Sequence, residues 1–235
     1  MTTKTVAPRV LKRKVFELLK SNDFVVALEE FCRHPPRKVI NSLFSFLYNI
    51  DPEIKWNAVT AMGAVVEKLA HEDTESARVI IRRLMWNLND ESGGIGWGSP
   101  EALGEILARS KILANEYSKM LISYAREDGN FQEQELMQRG VLWGVGRLSQ
   151  VRPNLIRDAA PYLIPYLQSS DAGVRGHAAW VMGLLGVEEA RSNLERLIKD
   201  TAELQIYRDC KLIKVQVKEL AEEVLKSLSL EKRRF

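Results

Sequence analysis

Apolar residues recur along this chain in short blocks at helical spacing, separated by polar turns. Val10, Leu11, Val15, Leu18 and Leu19 share one face of a helix predicted over 10–20, and a second follows from Asp23 to Phe31. Pro35-Pro36 forces a break, because the residue before a proline is pushed out of the helical region. Val39 to Tyr48 predicts a third helix, closed by Asn49 and Asp51-Pro52.

From Asp51 the pattern repeats. Asp51-Pro-Glu-Ile-Lys-Trp-Asn-Ala-Val-Thr-Ala-Met-Gly63 aligns with Asp171-Ala-Gly-Val-Arg-Gly-His-Ala-Ala-Trp-Val-Met-Gly183. Each Asp suits a helix N-cap, where its carboxylate accepts unpaired N–H groups of the first turn. Two further copies end at Gly104 and Gly146, so the marker glycines Gly63, Gly104, Gly146 and Gly183 are spaced by 41, 42 and 37 residues. Glycine inside a helix costs about 1 kcal/mol relative to alanine. Its recurrence at one register predicts a compensating close approach of a neighbouring helix. Each marked helix is followed by a second, over 75–88, 111–125, 155–167 and 188–199, and Ile213–Leu225 reads as a degenerate last copy without the glycine. A helical array with a period near 40 residues is the signature of a paired-helix solenoid. The expected class is all-α: a right-handed α-α superhelix of about five to six helix pairs in a single domain over 1–235. Irregular helices would occupy 9–50, marked repeats about 51–90, 91–130, 131–170 and 171–206, and a C-terminal cap 207–230.

Val174-Arg-Gly-His-Ala-Ala-Trp-Val-Met-Gly-Leu-Leu-Gly186 resembles the bacterial HEAT-like repeat first labelled after phycobilisome lyases, whose usual pattern is V-R-x-x-A-A-x-A-L-G-x-x-G. The resemblance covers roughly residues 50–200 and implies a HEAT/armadillo-like fold. Together with Gly-Gly-Ile-Gly-Trp-Gly-Ser-Pro-Glu and Gln-Arg-Gly-Val-Leu-Trp-Gly-Val-Gly-Arg, the whole chain is similar to a bacterial group of HEAT-repeat proteins with no assigned activity. Arrays of this kind in metal-dependent deoxyhypusine hydroxylases carry His-Glu pairs. The corresponding slots here hold Trp56-Asn57, Trp97-Gly98, Arg139-Gly140 and Gly176-His177, so that chemistry does not transfer. No metal or other cofactor is expected and no catalytic residue is nominated.

Positions seven and three before each marker glycine share one helix face. Read in order they are Trp56 and Thr60, Trp97 and Glu101, Arg139 and Trp143, Gly176 and Trp180, with Glu105 and Arg147 one turn further. In a solenoid, equivalent faces form a strip. The strip of Trp56, Trp97, Glu101, Glu105, Arg139, Trp143, Arg147 and Trp180 is the candidate partner-binding surface: rings stack, guanidinium groups fork, carboxylates accept. The same residues equally suit a seam of inter-repeat packing and ion pairs. Gly93, Gly94 and Gly96 precede Ser99-Pro100, which predicts a tight loop capped by Ser99 at the next helix.

Composition adds limits. With 46% apolar and 28% charged residues and a net charge of +3, the chain is an ordinary folded protein rather than a bulk polyanion binder. Cys32 and Cys210 stand apart, and no apolar run reaches 18 residues, so a cytoplasmic protein without a membrane span is expected. The function expected is a non-catalytic binding or scaffold role toward a protein or peptide. The alternative is DNA binding or base repair of the alkylpurine-glycosylase type, for which Arg78, Arg82, Arg83 and Trp86 supply a basic stripe. Chromophore handling of the lyase type is suggested by the family label alone.

Overall fold

The computed structural model describes residues 8–89 and 96–231. Three helices, α1 (Pro8–Leu19), α2 (Phe24–Arg33) and α3 (Pro36–Phe44), form the N-terminal end. Then come α4 (Pro52–Glu72), α5 (Thr74–Leu88), α6 (Ser99–Arg109), α7 (Lys111–Ser123), α8 (Glu135–Val151), α9 (Ala160–Leu163), α10 (Ala172–Leu185), α11 (Arg191–Leu197) and α12 (Val217–Glu231). Asp51 and Asp171 cap α4 and α10 as expected, accepting from the N–H groups of Glu53 at 3.0 Å and Val174 at 2.8 Å.

The marked helices α4, α6, α8 and α10, followed by α12, pack each against the next in one layer. The marker glycines lie at those seams. A Cβ on Gly63 would meet the Glu105 side chain at 2.5 Å, one on Gly183 would meet Val224 at 2.5 Å, and one on Gly146 would run into the Trp180 ring. Gly104 meets the backbone of Gly144 directly, with no side chain between α6 and α8. The second layer, α5, α7, the segment 153–168 and α11, is looser: α5 and α7 meet mainly through the Arg78–Glu116 ion pair, 2.7 Å. Tighter spacing in one layer bends the array toward it, so the marked helices line the inside of the curve.

Three expectations need correction. The helix predicted over 155–167 is a string of short turns around α9, because Pro161 and Pro165 lack the N–H groups that a continuous helix requires. Helix α6 is not capped by Ser99. Gly98 is the N-cap, in the left-handed region at φ 77, and Ser99 is the first helical residue, its buried hydroxyl without a partner among the described residues. A side chain at 98 would also strike the Leu47 carbonyl, so glycine is required twice over. Finally, Ile213–Leu225 is not one helix. Strands β1 (Glu203–Arg208) and β2 (Lys211–Gln216) pair antiparallel, with Glu203 opposite Gln216 and Arg208 opposite Lys211. The cap expected over 207–230 is part hairpin and part α12.

The hairpin folds back over the inner face, reaching α10, α8 and α4. Leu204 and Ile206 alternate inward as a strand requires. Tyr207 points to the other side of the strand yet is also buried. Its two-residue turn, Asp209-Cys210, holds φ of 51° and 59°, the primed-turn geometry that matches strand twist.

Two stability outcomes follow. Gly104→Ala should cost about 1–3 kcal/mol despite the better helix propensity, since backbone must separate to admit the methyl group. Cys210→Gly should gain about 1 kcal/mol by relieving the left-handed backbone. Denaturant midpoints measure both, and a neutral Gly104→Ala would contradict the close seam.

Candidate functional site

The candidate residues do not form one open strip. Trp56, Trp143 and Trp180 are buried, and only Trp97 is exposed, at 43%. Trp180 fills the space that Gly146 leaves open, so it belongs to the α8–α10 seam. Trp97 lies in the turn before α6 rather than on the helix, away from the other three rings, beside Gly96 and a depression bounded by Phe131 and Met137. Gly93 and Gly94 fall outside the described residues.

Trp56 and Trp143 are held together by a residue that the periodicity did not nominate. Tyr207, from β1, stacks on Trp56 at 4.7 Å between centroids and 4° between planes. Trp143 lies 4.6 Å from Trp56 and 6.1 Å from Tyr207, tilted against both. The Trp143 indole donates to the Tyr207 carbonyl at 2.7 Å, and the Thr60 and Tyr207 hydroxyls share a 3.1 Å hydrogen bond. Buried rings with their polar ends satisfied make a rigid clamp. The hairpin's signal was present in the sequence: two six-residue runs, Leu204 and Ile206 alternating in the first, flank the two-residue turn.

Glu105 is a seam residue. Its oxygens accept from Arg109 Nε at 2.6 Å and Arg147 Nε at 2.5 Å, which ties α6 to α8 and satisfies all three groups. Arg139 forms a two-pronged pair with Asp171, the cap of α10; that hydrogen bonding holds the Asp171 carboxyl below its ordinary range.

Glu101 differs. It is buried on the first turn of α6, and its Oε1 accepts from Lys55 Nζ at 2.6 Å. Its Oε2 has no donor among the described residues. Glu101 lines a groove of about 490 Å³ walled by Trp56 of α4, Gly140 and Trp143 of α8, His177 of α10, and Leu204 and Leu212 of the hairpin. Arg139 and the exposed Leu136 stand at this groove as well. His177 is buried at the wall of this groove. Its Nδ1 donates to the Gly173 carbonyl at 2.6 Å, which leaves Nε2 as an acceptor, and burial pushes the imidazole down to about 4.

The basic stripe is locally compensated. Arg78 pairs with Glu116 and Glu75, Arg82 pairs with Glu75, and Arg83 lies over the Phe44 ring and donates to Asn41. Trp86 is exposed beside them.

With this geometry in view, residues 135–185, which span α8 to α10, match the HEAT-like repeat family. The match covers that stretch alone, about a fifth of the chain. An uncharacterised protein of the archaeon Archaeoglobus fulgidus is 24% identical over 189 residues, 78% of this chain and 94% of that one. Among solved structures, an engineered protein superposes with a TM-score of 0.53 at 15% identity, covering 94% of this chain and 97% of its own. A designed armadillo repeat protein does so at 0.50 and 16% identity, covering 92% and 98%. These likenesses establish the HEAT/armadillo solenoid fold. No helix among the described residues is long and apolar enough to cross a membrane.

The buried imidazole gives a pH signature. The unfolded chain binds a proton near pH 6.5, while the folded protein resists it until about pH 4. Between those values stability should fall as the pH is lowered, by at most about 1.4 kcal/mol per unit. In His177→Gln the slope across this window should flatten in thermal melts. An unchanged slope would assign it to other groups.

Proposed function

We propose that this solenoid is a binding scaffold that engages a protein or peptide partner on its inner face, in the groove between the marked helices and the hairpin. The observation that carries this reading is the groove itself. It draws one wall each from α4, α6, α8, α10 and the hairpin, and it has an apolar rim at Leu136 and a buried carboxylate at its floor. A concave site with mostly apolar walls and a few convergent polar groups is the usual form of a recognition site. The clamp of Trp56, Tyr207 and Trp143 fixes the walls in advance, which reduces the ordering cost of binding. Of the residues nominated from sequence, Glu101 and Arg139 face the partner in this reading, with Trp56 and Trp143 as their support.

The nucleic-acid alternative has less support, because Arg78 and Arg82 already meet carboxylates and Arg83 is engaged by Asn41 and the Phe44 ring. The test is site-specific photo-crosslinking in the source cell. A photoreactive amino acid in place of Leu136 should trap one discrete protein adduct. The same probe in place of Ile112, equally exposed on α7 of the outer layer, should not. Equal labelling from both positions, or adducts with nucleic acid alone, would refute the inner-face reading.

A further inference from the structure

We propose that the floor of this groove is a subsite for an alkylammonium group, either a free diamine or the lysine side chain of a partner. The proposal rests on the reading of the groove as the binding surface. Glu101 is 4% exposed, yet Oε2 meets no donor among the described residues. A buried charged oxygen left unpaired is costly, and native structures ordinarily satisfy it. Oε2 packs closely against Gly140 of the facing helix, which offers no side-chain donor; a Cβ there would come within 2.7 Å of the oxygen. The nearby His177 offers only a further acceptor, Nε2. Two acceptors with spare capacity call for a donor-rich guest.

The cations around the groove are each engaged by a carboxylate: Arg139 by Asp171, Lys214 by Glu203, and Lys55 by Glu101. Lys55 also shows which chemistry the place accepts. Its ammonium sits 5.1 Å from the Trp56 ring centroid while bonding Glu101 Oε1, an alkylammonium held between an aromatic face and a carboxylate. Only one carboxylate oxygen is spare, which suits the point charge of an ammonium better than a guanidinium, whose fork matches both oxygens. A space of about 490 Å³ admits a lysine side chain or a five-carbon diamine.

The experiment titrates the intact protein with cadaverine, with Nα-acetyl-lysine N-methylamide, and with glutarate as the anionic control, following amide and indole NMR shifts and thermal midpoints. Saturable amine binding is expected, with shifts centred on Lys55, Trp56, Glu101 and Gly140, and none with glutarate. Saturation by cadaverine alone identifies a free diamine as the guest; saturation by the lysine derivative identifies a partner's side chain. Lys55→Ala removes the internal ammonium. Cadaverine should raise its thermal midpoint more than that of the parent protein, a gain that a misfolded variant cannot mimic. In Lys55→Ala combined with Glu101→Gln the gain should vanish, and Glu101→Gln alone should bind the amine at least tenfold more weakly. Absence of saturable amine binding, shifts centred elsewhere, or equal affinity in Glu101→Gln would overturn the subsite. A discrete crosslink at Leu136 without amine binding would end the subsite and leave the scaffold reading standing. Amine binding without any crosslink would do the reverse.

Discussion

Backbone contact between successive marked helices is the constraint from which the rest follows. At Gly104 and Gly144 two helices meet with no side chain between them, and at Gly63, Gly146 and Gly183 a side chain from the next repeat occupies the missing Cβ. Glycine weakens each helix in isolation, and the seam compensates through dispersion contacts that any larger residue would lose. The second layer keeps larger spacings. The difference curves the array and creates an inner face.

An inner face of this kind presents apolar and aromatic surface that must be covered. Here the chain covers part of it itself. The hairpin between α11 and α12 lays Tyr207 against Trp56 and Trp143, and its hydrogen bonds with Thr60 and Trp143 hold the ring and the strand in place. What the hairpin leaves open is the groove beside it. Its floor holds Glu101, whose neighbour one turn on, Glu105, is satisfied by two arginines. The two glutamates share a helix and a face but have opposite fates. Glu105 meets Arg109 and Arg147, whereas Glu101 meets Lys55 on one oxygen and the bare Gly140 opposite the other.

Much of the architecture was legible in the chain. The Asp caps, the marker glycines and their spacing predicted the helix order, and the glycine register predicted the close seams that Gly104 and Gly146 make. The same periodicity hid the hairpin. A strong helical repeat invites one more helix over Ile213–Leu225, although Leu204 and Ile206 alternate as a strand does and two six-residue runs flank a short turn. Proline breaks within 155–167 were visible as residues but not as a fragmented helix, because a proline can either kink a helix or end it.

The sequence by itself determined the local order: which segments are helical, where they are capped, and which positions must be small. Those properties depend on residues within a few turns of one another. Only the tertiary structure decided which of the tryptophans became seam, clamp or surface. Trp56, Trp97, Trp143 and Trp180 hold equivalent or near-equivalent places in the repeat, yet their burial depends on what comes from elsewhere. Gly146 accommodates Trp180, Tyr207 covers Trp56 and Trp143, and Trp97 stands before the first turn of its helix with one face open. The unpaired oxygen of Glu101 belongs to the same class of fact, since a carboxylate's partners are fixed by packing across repeats and not by its place within one.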